Sequence, residues 1–253
     1  MRKGNLLSAA GYARLLAPLA GELGIEIAGV GDPRASTADR DRHEALLQEI
    51  SAFRGHTYYA DGQRPNFRRT DGGYADLQPY DRAAYHVMLR ERASGALTAV
   101  VRLIPRDWAP AGHSAVERMF GPRVVELITR RGLCDADVLE GGRLAVAVNR
   151  QNYSIGPLVS LVGLAFAESI GRPMVWGLSG TKGRQDLLFA RLGAHIHDEF
   201  LEPDPKYHDT MTVYSFDLAA VPPVLRPVYD RIQELLLAGP HPVPVGPSTR
   251  RTR

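Results

Sequence analysis

The sequence predicts an α+β fold with a mixed, mostly antiparallel central sheet flanked by helices and splayed or bulged at one internal strand. Three observations carry that expectation. The element order is two helical segments, a hairpin, then helix, strand, helix, strand, helix and two closing strands, without the regular alternation of a doubly wound nucleotide fold. Residues 85–92 and 96–104 are strand-like and separated by Ala93-Ser94-Gly95, a hairpin signal. Residues 139–148, Leu-Glu-Gly-Gly-Arg-Leu-Ala-Val-Ala-Val, read as a buried strand in which Glu140 and Arg143 flank a glycine pair. Burying an unpaired charge costs several kcal/mol, so those charges need partners, and the glycine pair fits a bulge that re-aims side chains.

The elements follow in order. Leu15, Leu16, Leu19 and Leu23 recur at helical spacing and predict a first helix over 8–23. Gly31-Asp32-Pro33 breaks the chain, and 35–42 is a charged connector. A second helix, from about Arg42 to Phe53, turns Leu46, Leu47 and Ile50 inward, and 60–79 reads as a long loop rich in Gly and Pro. After the hairpin, helical residues run from Val116 to Arg131, and the 139–148 strand leads into a helix over 156–170. A strand at 174–178, a helix at 185–192 capped by Gly193, strands at 195–200 and 210–216 and a helix at 227–238 complete the pattern. The Pro-rich end, 239–253, predicts a disordered tail.

Composition excludes several classes. At 253 residues, 44% apolar and 23% charged, the chain has the balance of an ordinary globular domain, and a formal charge of +3 gives no argument for nucleic acid. Its only lysines are Lys3, Lys182 and Lys206; the arginine bias suits fixed bidentate contacts to carboxylates and phosphates, or reflects composition alone. Cys134 stands alone, so no internal disulfide forms. The first residues are amphipathic rather than signal-like, and the longest apolar stretch, 155–167, is shorter than the ~20 residues of a membrane span. A cytoplasmic protein without a membrane span is expected.

Arg102 lies inside the apolar run Val100–Ile104. It either points to solvent at a strand end or meets Asp81, Glu140 and Arg143 in a cleft. Two acids and two arginines in a cleft suit an amino-acid-like zwitterion, whose carboxylate the arginines would take bidentately. Arg54 and Tyr58, four apart, share a face if the second helix continues; a surface Arg over a packed Tyr is the alternative. Arg150–Gly156, just before an apolar helix, either presents N–H groups to an anion or is a turn with Ser154 as N-cap. His195 and His197 alternate on a strand but lack further ligands, so no metal is expected. Ser179 is not in a nucleophile elbow, and no phosphate-binding Walker or dinucleotide loop is present.

Together these residues resemble the acyl-homoserine-lactone (autoinducer) synthases and the long-chain N-acyl amino acid synthases of the GNAT acyltransferase superfamily. Arg54…Tyr58 resembles their Arg-x-x-x-[Phe/Tyr], Tyr80-Asp81 their acidic segment before the hairpin, and Arg102-Leu103-Ile104-Pro105 their Arg-Leu-x-Pro. Glu140-Gly141-Gly142-Arg143-Leu144-Ala145-Val146 resembles Glu-x-[Ser/Gly]-Arg-[Phe/Leu]-Ala-Val, and Arg191-Leu192-Gly193-Ala194 the end of the last GNAT helix. Gln151-x-x-Ser154-x-Gly156 approximates the pyrophosphate loop [Arg/Gln]-x-x-Gly-x-[Gly/Ala], with Ser in the first Gly place. The match covers roughly 45–216. Gln78 stands where the synthases carry another acid, their amino-terminal Trp has no counterpart near Arg64, and 1–44 is an added segment.

The resemblance implies a GNAT-like sheet splayed at an acyl-thioester site, and three regions: an N-terminal helical extension (1–44), a GNAT-like acyltransferase domain (45–238) and the tail (239–253). It implies transfer of a fatty acyl group from an acyl carrier protein, through its phosphopantetheine, or from acyl-CoA, to the amine of an amino acid or related small molecule. No permanently bound cofactor is expected. Glu140 would be the base, directly or through water, and Arg143 and Arg102 would orient the acceptor, with Asp81 holding its amine or bracing an arginine. Arg54 and Tyr58 would contact substrate. Backbone around Leu144, Val146 and Val148 would stabilise the oxyanion, while Arg150, Gln151, Ser154 and Gly156 would take the phosphate. Leu158–Phe166 would line an acyl tunnel or simply pack the core, and Arg150, Lys182, Arg184 and Arg191 would meet an acidic carrier protein or be a solvated face. Three other readings stay open: a lactone-forming synthase, a short-chain acetyl-CoA-dependent GNAT enzyme, and a non-catalytic acyl-thioester or carrier-protein binding module.

Overall fold

The computed structural model describes residues 9–29, 36–62, 64–108, 114–150 and 154–238. Seven strands, β1 (Leu23–Ala28), β2 (Tyr85–Glu91), β3 (Leu97–Pro105), β4 (Val138–Val146), β5 (Met174–Gly180), β6 (His195–Asp204) and β7 (Asp209–Asp217), form one sheet in the order β1-β2-β3-β4-β5-β7-β6. Every adjacent pair is antiparallel except β4–β5. This is the mixed, mostly antiparallel α+β sheet that the sequence predicts.

Side chains alternate across the strands, so each face gathers its own core. On one face, α1 (Ala9–Gly21), α5 (Ile155–Ser169), α6 (Gln185–Arg191) and α7 (Arg226–Ala238) pack Leu15, Leu161, Phe189 and Ile232 over Val87, Val101, Leu103, Leu139 and Val175. Helix α5 is apolar almost all round and is buried from Ile155 to Ala167, the state expected of such a helix. On the other face, α2 (Thr37–Gly62) lays Ile50 and Tyr58 on Met88, Val100 and Ala145. Beside it, α3 (Ala115–Phe120) and α4 (Glu126–Thr129) cover Val138, Met174 and Trp176. These two apolar clusters are separate, and the polar residues of β2, β3 and β4 come up in that region of the sheet.

Four local features differ from the sequence expectation. Helix α2 begins at Thr37, inside the expected connector, and runs nine residues past Phe53 to Gly62, carrying Arg54 and Tyr58 on one continuous helix. Residues 23–28 form an edge strand paired with β2 from Leu23↔Glu91 to Ala28↔His86. The expected boundary at residue 44 therefore falls inside α2, and the described part of 1–44 supplies a helix and a strand to the same layers. The stretch 116–131 is split at Gly121, whose φ is +68°, into α3, a 3-10 turn and α4. The bulge in β4 lies one residue beyond the glycine pair: Val100↔Ala145 is followed by Arg102↔Gly142, so Arg143 and Leu144 face the single residue Val101. Arg143 takes the left-handed conformation, φ +57°, that turns the strand there. The expected tail at 239–253 lies outside the described residues.

Candidate active site

Helix α2, the 3-10 turn Pro79–Ala83 and strands β2 to β4 build a buried network of charges. Asp81, 1% exposed, sits at its centre. Its Oδ1 accepts from Nη1 of Arg54 (3.2 Å) and Nη1 of Arg102 (2.9 Å), and its Oδ2 from Nη2 of Arg54 (2.6 Å) and the N–H of Gln78 (2.8 Å). Burial alone would raise the Asp81 carboxyl, but the hydrogen bonds and charge of Arg54, then Arg102, hold it well below the usual carboxylate range. Asp81 thus braces two arginines, one of the two roles expected for it. Arg102 faces this cleft and not solvent, and its Nη1 also donates to Oε1 of Gln78 at 2.9 Å.

A second carboxylate, Asp76, joins the cluster from the long loop. Its Oδ2 lies 3.2 Å from Nε of Arg54 and 3.3 Å from Nε of Arg143. Its backbone N–H donates to the carbonyl and hydroxyl of Ser51 on α2, and Nη2 of Arg54 donates to its carbonyl. Gly55 makes that approach possible, because a methyl group there would stand 2.4 Å from the Ala75 nitrogen. His86 completes the floor: its Nε2 lies 2.9 Å from the Asp81 carbonyl, and burial, then the charge of Arg54, lowers its pKa to about 4, so the ring is neutral.

Arg143 leaves the bulge toward Asp76, and its guanidinium carbon stands 5.5 Å from the centroid of the Tyr207 ring. Among the described residues its two Nη groups have no hydrogen-bond partner. Tyr58 reaches β4 from α2, donating its hydroxyl to the Leu144 carbonyl at 3.2 Å, and burial pushes its pKa up to about 12. Arg54 and Tyr58 are accordingly parts of one packed site rather than a surface pair.

Glu140 lies on the same face but in other company. Its Oε2 accepts from the Ser114 hydroxyl and its Oε1 from the Ala115 N–H at 3.2 Å, at the first turn of α3. Among the described residues it makes no hydrogen bond or ion pair with Arg102 or Arg143. One strand over, the parallel pairing of β4 with β5 runs from Val138↔Met174 to Gly141↔Gly177 and stops, although β4 continues to Val146 and β5 to Gly180. Beyond that point each follows its antiparallel partner, β3 or β7, and the sheet opens. Tyr214 of β7 stands at the opening and donates its hydroxyl to the Gly141 carbonyl at 3.1 Å. A Cβ on Gly177 would meet the Gly141 oxygen at 2.2 Å and the Tyr214 hydroxyl at 2.6 Å, so both glycines are needed where the strands part. Burial, then the nearby charge of Glu140, raises the Tyr214 pKa well above its ordinary value and keeps the phenol protonated.

Leu144 and Val146 of the opened strand are half-buried against the main core, and Val148 is exposed. The chain then enters α5, where, among the described residues, a Cβ on Gly156 would touch the Val146 side chain at 3.8 Å. Ser154 holds the N-cap position without a side-chain capping bond. Gln151 and the Arg150 side chain lie outside the described residues. The carrier-protein patch is scattered by comparison: the ammonium of Lys182 is tied to the His208 carbonyl, and Arg184 and Arg191 lie at opposite ends of α6. His197 bonds Ser215 at 2.9 Å, and among the described residues no group of His, Cys, Asp and Glu could hold a metal. No described helix is long and apolar enough to cross a membrane.

The structure adds Asp76, Tyr207 and Tyr214 to the residues singled out from sequence, and brings Gln78 and His86 into contact with Asp81. Gln78 and His86 lie beside the recognised Tyr80-Asp81 motif. The five-residue spacing of Asp76 and Asp81 within a long loop was the one available signal for Asp76.

No protein-family model matches the sequence, and no curated protein matches it. Solved structures do match in fold. A CoA-dependent acyl-homoserine lactone synthase, BjaI, with SAM and isopentyl-CoA, is 16% identical with a TM-score of 0.57, over 84% of this chain and 90% of that one. TofI, in a ternary complex with an inhibitor and MTA, is 16% identical with a TM-score of 0.56, over 85% of this chain and 99% of the other. MesI, a CoA-dependent acyl-homoserine lactone synthase, is 16% identical with a TM-score of 0.55, over 83% and 95%. At this identity the likeness is one of fold, and it is the GNAT-like α+β fold that the sequence motifs imply.

Proposed function

We propose that the protein is an N-acyltransferase that moves a fatty acyl group from an acyl-CoA or acyl-carrier-protein thioester to the amine of an amino acid or related small molecule. The observation that carries this reading is the parting of β4 and β5 at Gly141 and Gly177, with the Arg–Asp network on the same strand. An opened strand offers unpaired backbone groups to an extended amide-bearing arm, as β-augmentation does elsewhere. A phosphopantetheine arm has that shape and those amides. Laid along Gly142–Val146, it would bring its thioester to the backbone N–H groups able to stabilise an oxyanion. Its phosphate end would reach the start of α5 at Ser154–Gly156, where helix N–H groups favour anions. The fold shared with acyl-homoserine lactone synthases supports the same assignment.

The acceptor would lie over the network, its carboxylate on the free Nη groups of Arg143, with Arg54 and Arg102 fixed by Asp81 behind it. Its amine must lose a proton before attacking the thioester carbonyl; the tetrahedral intermediate then collapses with loss of the thiolate. Glu140 is the proposed base, acting through water because its carboxylate is held at the start of α3. The Tyr214 phenol at the strand opening would hydrogen-bond the leaving thiolate in place of the Gly141 carbonyl.

The test is thiol release from long-chain acyl-CoA and acyl-carrier protein against a pool of amino acids, amines and SAM, with mass spectrometry of the products. We expect an N-acylated product whose formation falls at least 100-fold in Arg143→Ala and about 100-fold in Glu140→Gln, both as folded protein. A lactone formed only from SAM would make the chain an autoinducer synthase. Preference for acetyl-CoA would make it a short-chain enzyme. Tight donor binding without thiol release would make it a binding module.

A further inference from the structure

We propose that Lys206 is a further substrate-positioning residue, forming with Arg143 an anion site over the Tyr207 ring that restricts acceptors to amines bearing a carboxylate and no second cation. The inference rests on the acyl-transfer reading and names its acceptor class.

Lys206 and Tyr207 lie in the turn between β6 and β7, far in sequence from the network they cover. The Lys206 ammonium stands 5.0 Å from the centroid of the Phe67 ring and 5.6 Å from that of Tyr207. Arg143 approaches the same Tyr207 ring at 5.5 Å, and so does Arg64 at 5.4 Å, but Arg64 has its own carboxylate in Asp61 at 3.6 Å. The remaining charges do not balance. Arg54, Arg102, Arg143 and Lys206 are four cations, and Asp76, Asp81 and Asp204 are three carboxylates. Asp81 already takes four donors, and Oδ1 of Asp204 accepts from the backbone N–H of Lys206, not from its ammonium. Among the described residues, neither the Lys206 ammonium nor the Nη edge of Arg143 has a hydrogen-bond acceptor.

Magnitudes favour an anion there. A hydrogen bond to a charged group contributes more than the contact of a cation with an aromatic ring at a partly exposed site. A carboxylate between Arg143 and Lys206 would satisfy both and neutralise the excess. Burial, then the charge of Arg143, lowers the Lys206 pKa despite the nearby aspartates. A sulfonium or a lysine-type side chain would instead meet the Arg143 and Lys206 cations, beside carboxylates already engaged by the network's own arginines and backbone.

The experiment uses the full chain as wild type, Lys206→Met and Lys206→Arg. Turnover with acyl-CoA is measured against L-tyrosine, L-glutamate, L-tyrosinamide, L-lysine and SAM, and binding of the same compounds is measured by calorimetry without donor. We expect the acids to be used and the amide, lysine and SAM to be poor. Lys206→Met should raise the acceptor KM about tenfold with kcat and donor KM unchanged, and Lys206→Arg should restore most of the loss. An unchanged acceptor KM in Lys206→Met, or equal use of tyrosine and tyrosinamide, overturns the anion site and leaves acyl transfer standing. Lys206-dependent binding of the acids without turnover keeps the anion site and removes acyl transfer. Neither binding nor turnover with any carboxylated amine overturns both.

Discussion

Arg143 combines a backbone conformation that side chains rarely adopt with a guanidinium half committed to Asp76. A left-handed φ costs a non-glycine residue about 1–2 kcal/mol, and strain of this kind persists where the surroundings over-determine it. Replacing the side chain separates the two contributions. Arg143→Ala keeps the strain and loses the contacts, whereas Arg143→Gly loses the contacts and relieves the strain. We expect Arg143→Gly to be more stable than Arg143→Ala by about 1 kcal/mol in urea unfolding, with turnover lost in both. Asp81 behaves oppositely, as a structural anchor. Asp81→Asn removes the charge that holds Arg54 and Arg102 in the interior, and should lower stability by about 3–5 kcal/mol in the same measurement. His86 sets a pH dependence. The unfolded imidazole takes a proton below about pH 6.5, while the folded one refuses it until about pH 4. The unfolded state therefore binds more protons across that window, and stability falls as the pH drops from about 6.5 to about 4, by about 3 kcal/mol for this fully buried ring. His197, also lowered to about 4, adds in the same direction. Urea midpoints between pH 4 and 7 should thus flatten in part, not wholly, in His86→Gln. Much of this residue-scale picture is legible in the sequence, because Arg102, Glu140 and Arg143 are charges set in apolar strands and must find partners. The partners themselves are not: Asp76 sits in a loop without periodicity, and the Ser114 and Ala115 contacts of Glu140 are made across the fold.

At the scale of elements, the opening between β4 and β5 depends on two glycines and one tyrosine. A Cβ on Gly141 would stand 2.8 Å from the Tyr214 hydroxyl and 3.0 Å from a methyl of Val175. Overpacking of this kind costs about 1–3 kcal/mol, so Gly141→Ala should destabilise the protein and disturb the strand opening. Removing the hydroxyl removes the closer contact. Gly141→Ala with Tyr214→Phe should therefore recover part of the stability lost by the single change, and a double-mutant cycle reads that recovery directly. Gly177→Ala offers no such rescue, since its nearest obstacle at 2.2 Å is the Gly141 backbone oxygen. Sequence patterning located the strand and the glycine pair, but it assigned the glycines to the bulge. Gly141 serves close approach and Gly142 has open space around it, while the bulge falls on Arg143, where residue preference alone would not place it. The same patterning missed β1, because the leucines of α1 carry a helical period up to Leu23 and hide the short alternation of Ile25 and Ile27 behind it. It also ended α2 early, since the polar residues beyond Phe53 face a charged network instead of an apolar core.

The described residues form a single sheet with a helical layer on each face, and the described segment before α2 belongs to that arrangement. Leu15, Leu19, Leu23 and Ile27 are all nearly inaccessible in the same core as α5 and α7. Strand β1 pairs with β2 over six residues and covers an edge whose next strand, β3, carries Arg102. Burying a leucine or isoleucine side chain contributes about 1.5–3 kcal/mol, so four of them outweigh the 5–15 kcal/mol margin of a typical domain at its lower end. A chain beginning at residue 36 would also expose the hydrogen-bonding edge of β2, an invitation to intermolecular pairing. We therefore expect deletion of residues 1–35 to give aggregated or thermally unstable protein, not a catalytically altered domain. A soluble product with an unchanged melting temperature would instead make this segment a dispensable extension. The discriminating variant is Leu19→Asp in the full chain, which leaves the β2 edge covered and puts an unpaired charge in the core. Loss of stability in Leu19→Asp assigns the effect of the deletion to core packing, and its absence assigns it to the exposed strand edge.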